Sequence, residues 1–269
     1  TAETLKQRYA VEADLHTVVA LWPGDLAAAT QLLLGRAGQR REQVLEVRAP
    51  ADAPRDPQLA AALAAARNAA ALAGRKLTVR LRWLVGAPRG ADALEPHTLD
   101  WRVIITPNAA LPEVLQACAM RVASLSACAE AAGAMPKGAT LEAILAPANP
   151  DFLAPLATLQ EAGLPRIALD LLPLYVEGDG GDVPALYATL RAAIDRYADD
   201  LARQRYYRLD PFATWFWRVY QGEPNPRTDP SGTHALAIDA AGGIYPNAQW
   251  FGQAAHHLGQ LSPAALDDG

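Results

Sequence analysis

Short β-rich runs alternate with capped, alanine-rich helical stretches along most of this chain, and that rhythm restricts the folds open to it. Leu15 to Leu21 is apolar and β-branched, and Trp22-Pro-Gly-Asp25 cuts it off. Asp25 stands where a helix cap belongs, before the helical stretch Leu26 to Gly35. Gln43 to Val47 is a second strand, and Asp56-Pro57 opens a second helix that runs to Ala73 and Gly74. Leu77 to Trp83 alternates apolar and basic residues, so one of its faces is expected to be wet. Trp101 to Thr106, Ala139 to Ala146 and Arg166 to Leu172 continue the strands, with a short one expected over Val122 to Ser126. Helices are expected over Leu111 to Met120, Ala127 to Ala134, Phe152 to Ala162, Val183 to Arg205 and Phe212 to Tyr220. Strands separated by helices of this length predict an α/β fold with a parallel sheet and right-handed crossovers. About six such units make an open, partial β/α barrel, since a closed one needs eight.

The 269 residues are 51% apolar and 20% charged, with a net charge of −5, enough for a sizeable core. The acidic balance argues against non-specific binding of nucleic acid or of an anionic membrane surface. No apolar run reaches membrane-spanning length and no signal peptide is visible, so a cytoplasmic location is expected. Two cysteines, Cys118 and Cys128, fit a reducing compartment and read as small buried residues. Phosphate loops, dinucleotide glycine fingerprints, nucleophile elbows and His-Glu-x-x-His pairs are all missing from the sequence.

The C-terminal region is more specific. Ala235 to Ile238 leads through Asp239-Ala-Ala-Gly-Gly243 into Ile244-Tyr-Pro246, the residue pattern of a hairpin with glycine at its corner. Phe251 and Leu258-Gly-Gln-Leu261 follow. Together with the strand–helix order, and with Asn149-Pro-Asp-Phe-Leu153 leading into a helix and then Arg166-Ile-Ala-Leu169, this hairpin resembles the radical S-adenosylmethionine enzymes that carry a SPASM extension and modify peptides. The resemblance implies a partial barrel over residues 1–205 and an aromatic helix with a SPASM-like hairpin over 206–269. It also implies three thiolates in the loop after the first strand, holding a four-iron cluster. Here that loop reads Ala20-Leu-Trp-Pro-Gly-Asp-Leu-Ala-Ala28, without cysteine. The second strand ends Val47-Arg-Ala-Pro50, where the family has a Gly-Gly-Glu-like turn, and the hairpin's cysteine positions hold Ser231 and Asn247.

These departures predict a degenerate member with no iron–sulfur cluster, no bound S-adenosylmethionine and no metal. Such a chain would be a catalytically silent partner that binds a precursor peptide, an active maturase, or both, in the modification of ribosomally made peptides, most simply as a heterodimer. Candidate contacts are Arg80 and Arg82, which grip a carboxylate if the strand lines a barrel mouth and otherwise form a solvated sheet face. Trp215, Trp217, Arg218, Tyr245 and Asn247 are the others. Phe212, Trp215, Phe216 and Tyr220 share one helical face, the ordinary sign of core packing and also a feature of interfaces. The alternative is a barrel enzyme doing acid–base or metal-assisted chemistry with Asp170 and Glu142, helped by His234 or His16. Against it, arginine pairing is the ordinary fate of such acids, and His234 reads as a satisfied strand histidine. His256 and His257 are adjacent, which suits a loop better than a metal site.

Overall fold

A computed structural model describes residues 15–37, 42–84, 98–119, 125–171, 183–222 and 234–261. The chain runs β1 (Thr17–Leu21), α1 (Leu26–Gly35), β2 (Glu42–Ala49), α2 (Pro57–Leu72), β3 (Lys76–Leu84), β4 (Thr98–Ile105), α3 (Leu111–Ala119), α4 (Leu125–Gly133), β5 (Ala139–Ala146) and α5 (Leu153–Glu161). It continues through β6 (Arg166–Leu169), α6 (Val183–Ala202), β7 (Arg208–Asp210), α7 (Phe212–Gln221), β8 (Ala235–Ile238), β9 (Gly243–Tyr245) and β10 (Gly259–Gln260). The strands form one open, mostly parallel sheet of ten, ordered β10-β9-β8-β1-β2-β3-β4-β5-β6-β7. Strands on both sides of the boundary expected near residue 205 belong to this sheet. No helix among the described residues is long and apolar enough to cross a membrane.

Local chemistry accounts for the helix starts. Asp25 Oδ1 accepts from the Ala28 amide at 2.9 Å and Asp56 Oδ1 from the Gln58 amide at 2.8 Å, each satisfying a donor that a helix start leaves open. Pro57 at the first helical position gives up an amide that had no partner to lose.

The expectation of a parallel sheet needs one correction. β1, β2, β3, β5, β6 and β7 share a direction, but β4 is antiparallel to both β3 and β5. A parallel return needs a crossover long enough to span the sheet, normally a helix. The 13 residues between β3 and β4 carry Gly86, Pro88, Gly90 and Pro96 and no helical periodicity. The expected strand over 122–126 is also corrected: Leu125 and Ser126 begin α4, and 120–124 lie outside the described residues. The glycine-rich acidic stretch 177–182, which the sequence marks as a loop, lies outside them too.

The two faces of the sheet differ sharply. Residues of one parity, among them Val18, Ala20, Leu45, Val47, Val79, Leu81, Trp83, Trp101, Val103, Leu141, Leu145 and Ile167, join the helices in a single apolar cluster. Leu33, Leu59, Leu63, Val114, Leu156 and Leu159 pack there from the helix side. The other parity carries the charged residues. Because strand side chains alternate between faces, a one-residue register slip would exchange the two sets, and burial of the apolar set fixes the register.

A charged sheet face as the candidate functional site

Paired registers place Leu21, Arg48, Arg82, Arg102 and Glu142 side by side across β1 to β5, and Arg166 beside Arg208 on β6 and β7. Glu46 and Arg80 form the adjacent level, and Asp100 and Asp210 lie on the same face. Arginines directly opposite one another repel unless carboxylates separate them, and the side chains arrange that separation. Arg82 donates from Nε to Asp100 Oδ2 at 2.6 Å and from Nη2 to Asp170 Oδ2 at 2.9 Å. Arg102 donates from Nε to Glu142 Oε2 at 2.7 Å, with its Nη2 on the same oxygen, and lies 3.9 Å from Glu46 Oε2. Arg48 Nε donates to Glu46 Oε1 at 3.3 Å. The Arg82 side chain is 12% exposed and Glu142 only 1%.

The electrostatics follow from this packing. Burial is the largest influence on Arg82 and opposes its charge, but Asp100 and Asp170, through charge and hydrogen bonds, outweigh it and raise the pKa. Arg80 is lowered, first by burial and then by the charge of Arg102, against the opposing pull of Glu46, Glu142 and Glu42. On β7, burial would raise Asp210, but hydrogen bonds from Arg208 and Thr214 and the charges of Arg208 and Arg166 hold it below the usual carboxylate range.

A depressed folded pKa means that Asp210 contributes stability above its unfolded pKa, and that this is lost as pH falls through the folded value. Thr214 Oγ1 donates to Asp210 Oδ1 at 2.6 Å. A Thr214→Val variant is therefore expected to titrate Asp210 at higher pH than the wild type, read by carboxyl-carbon NMR. An unchanged midpoint would show that the hydroxyl does not hold the charge.

The expected site residues divide. Arg80, Arg82, Glu142 and Asp170 come together on this face. Arg82 and Glu142 are engaged in ion pairs and not simply solvated, and Asp170 pairs with Arg82. His234 is exposed at the head of β8, where its carbonyl accepts from the His16 and Thr17 amides at 2.8 and 3.0 Å. Asn247 Oδ1 accepts from the Gln249 amide at 2.9 Å, capping a short 3₁₀ turn. Tyr245 is 5% exposed and meets Phe251 and His257 edge to face at 5.6 and 5.4 Å, so it packs inward and offers little to a partner. His256 stacks on Trp250 at 3.8 Å, so the adjacent histidines serve different rings. Cys118 is buried, and Ser231 and the Cys128 side chain lie outside what is described.

The aromatic helix departs from the core reading. On α7 only Phe212 is buried; Trp215, Phe216, Trp217, Val219 and Tyr220 are all exposed, Trp217 by 60% and Tyr220 by 80%. Arg218, in the last turn of α7, is half-buried.

At the carboxyl ends of β1 and β2 the loops close on themselves. Trp22 Nε1 donates to Asp56 Oδ2 at 3.0 Å. Gly24 lies so close to the chain that an added Cβ would stand 2.5 Å from the Leu21 carbonyl oxygen and 3.4 Å from the Ala240 Cα. The loop after β1 thus packs directly against the β8–β9 turn. That turn is fixed by Asp239 Oδ1, which accepts from the Ala241 and Gly243 amides at 2.9 and 2.7 Å. Among the described residues, no group of three His, Cys, Asp or Glu side chains is placed to hold a metal ion. No protein-family model matches the sequence, and no curated protein matches it.

Sequence reasoning did not single out Glu46, Asp100, Arg102 or Asp210. The period-two alternation in Glu42-Gln-Val-Leu-Glu-Val-Arg48 and Asp100-Trp-Arg-Val-Ile104 was the available signal, because it assigns each charge to a face.

Proposed function

We propose that this chain is a catalytically silent relative of radical S-adenosylmethionine peptide maturases, acting as a peptide- or maturase-binding partner in the modification of ribosomally made peptides. One observation carries the reading: the loop after β1, where a radical enzyme needs three thiolates, has no cysteine, and its Trp22 and Gly24 tie it to Asp56 and to the hairpin turn. The supporting architecture is six strands of common direction followed by a hairpin laid beside β1. The antiparallel β4 is then an insertion on that plan. Exposed aromatics with Arg218 on α7 suit a protein partner, since aromatic side chains and arginine dominate interface energetics. The charged face suits a peptide with acidic groups. Asp170 and Glu142, both bound to arginines, serve this face as charge-balancing residues and not as an acid–base pair.

Anaerobic incubation with iron and sulfide, followed by desalting, iron counting and absorption spectroscopy, tests the proposal. The expected result is no stoichiometric iron and no cleavage of S-adenosylmethionine. About four irons per chain with cofactor cleavage would overturn it.

A further inference from the structure

On the charged face the arginines are not equivalent. Arg48, Arg82, Arg102 and Arg208 each hold a carboxylate within ion-pair distance. Arg80 and Arg166 have no side-chain ion pair or hydrogen bond among the described residues, and of the two Arg80 sits mid-sheet beside Glu46. Its Nε is sealed from solvent without a partner. Arg80 as a whole is half-buried, so part of it still reaches solvent. Geometry explains the vacancy: Glu46 is its register neighbour on β2, but that carboxylate directs Oε1 to Arg48 and Oε2 toward Arg102. Arg48, Arg80 and Arg102 thus share three carboxylates, of which Glu46 and Glu142 hold other arginines and Glu42 accepts from the Thr78 hydroxyl.

We infer that Arg80 is the anchor for a carboxylate of a bound acidic peptide, taking it end-on through its two terminal nitrogens. A guanidinium without a carboxylate partner gains charge-assisted hydrogen bonds from an incoming acceptor. The planar fork matches a carboxylate in two parallel hydrogen bonds. Burial and the neighbouring Arg102, which destabilise the Arg80 cation, are offset by such a ligand. The inference rests on the charged face being the peptide side of the proposed partner protein.

The test uses the full chain and N-acetyl-tetraglutamate as probe. In arginine-labelled protein the Arg80 Nε–Hε resonance is expected to shift on titration, with saturation matching the affinity from calorimetry. Arg80→Gln is expected to weaken binding at least about tenfold, the value of a charge-assisted bond. Arg80→Lys, which keeps the charge and loses the fork, should fall between. Arg196→Gln, on the exposed side of α6, should bind like the wild type. Unchanged affinity in a folded Arg80→Gln protein overturns the anchor and leaves the peptide-binding reading standing. Absence of tetraglutamate binding to the wild type overturns both, and tighter binding of inorganic phosphate than of tetraglutamate overturns the carboxylate assignment. Iron loading in the reconstitution experiment would sink the silent-partner reading while leaving the Arg80 result intact.

Discussion

Replacing Glu142 with alanine is expected to lower the free energy of unfolding by about 3–5 kcal/mol, measured by urea denaturation. Glu142 is almost fully buried and accepts from both Nε and Nη2 of Arg102 on the same oxygen. Its removal leaves Arg102, itself 20% exposed, with Glu46 at 3.9 Å as its one ion-pair partner among the described residues. The cost is that of an uncompensated charge, which exceeds the net worth of the pair. Two further variants separate those quantities. Glu142→Gln keeps the shape and one acceptor, and should cost about 1–3 kcal/mol. A double variant, Glu142→Leu with Arg102→Met, removes both charges and should recover most of the loss, because well-packed apolar residues often equal a buried ion pair. A Glu142→Ala protein within 1 kcal/mol of the wild type (on the order of a single exposed pair) would show that the pair does not form in solution.

Much of this architecture was legible from local signals, and the reason is physical. Asp25, Asp56 and Pro57 act on groups within three residues, so their roles can be read without the fold. The hairpin at Asp239 to Tyr245 is likewise local. The direction of β4 is not a local property. Its residues 101–106 look like those of any other strand, and only the connection before it carries the information. The ion pairs were legible by face and not by partner: alternation assigns Arg82 and Asp170 to strand faces, but 88 residues separate them and only the strand order brings them together. The aromatic face of α7 misled for a related reason. A stripe at spacings of three and four records that one side of a helix is apolar, and burial depends on whether another element covers it. Past Phe212, no described element covers Trp215, Phe216 and Tyr220 enough to bury them.

The core side of β4 carries the second large effect, and it separates two causes of tryptophan's value. Trp101 is 1% exposed and lies opposite Trp83 in the β3–β4 register, both facing the helices. Trp101→Ala is expected to cost about 3–5 kcal/mol through lost burial and a residual cavity. The indole nitrogens of Trp101 and Trp83 are buried without hydrogen-bond partners, which is unusual for tryptophan in a core. Trp101→Phe therefore removes volume and an unsatisfied donor together. A tryptophan whose N–H is bonded loses about 1 kcal/mol for that bond in addition to the cavity, whereas here the donor's removal relieves a penalty. The expected cost of Trp101→Phe is thus under about 2 kcal/mol, well below that of alanine. Chemical denaturation followed by far-ultraviolet circular dichroism keeps the readout independent of the deleted fluorophore. A Trp101→Phe loss above about 2 kcal/mol would mean that the indole N–H has a partner in solution. The antiparallel strand inserted between β3 and β5 would then be held by a polar contact as well as by packing.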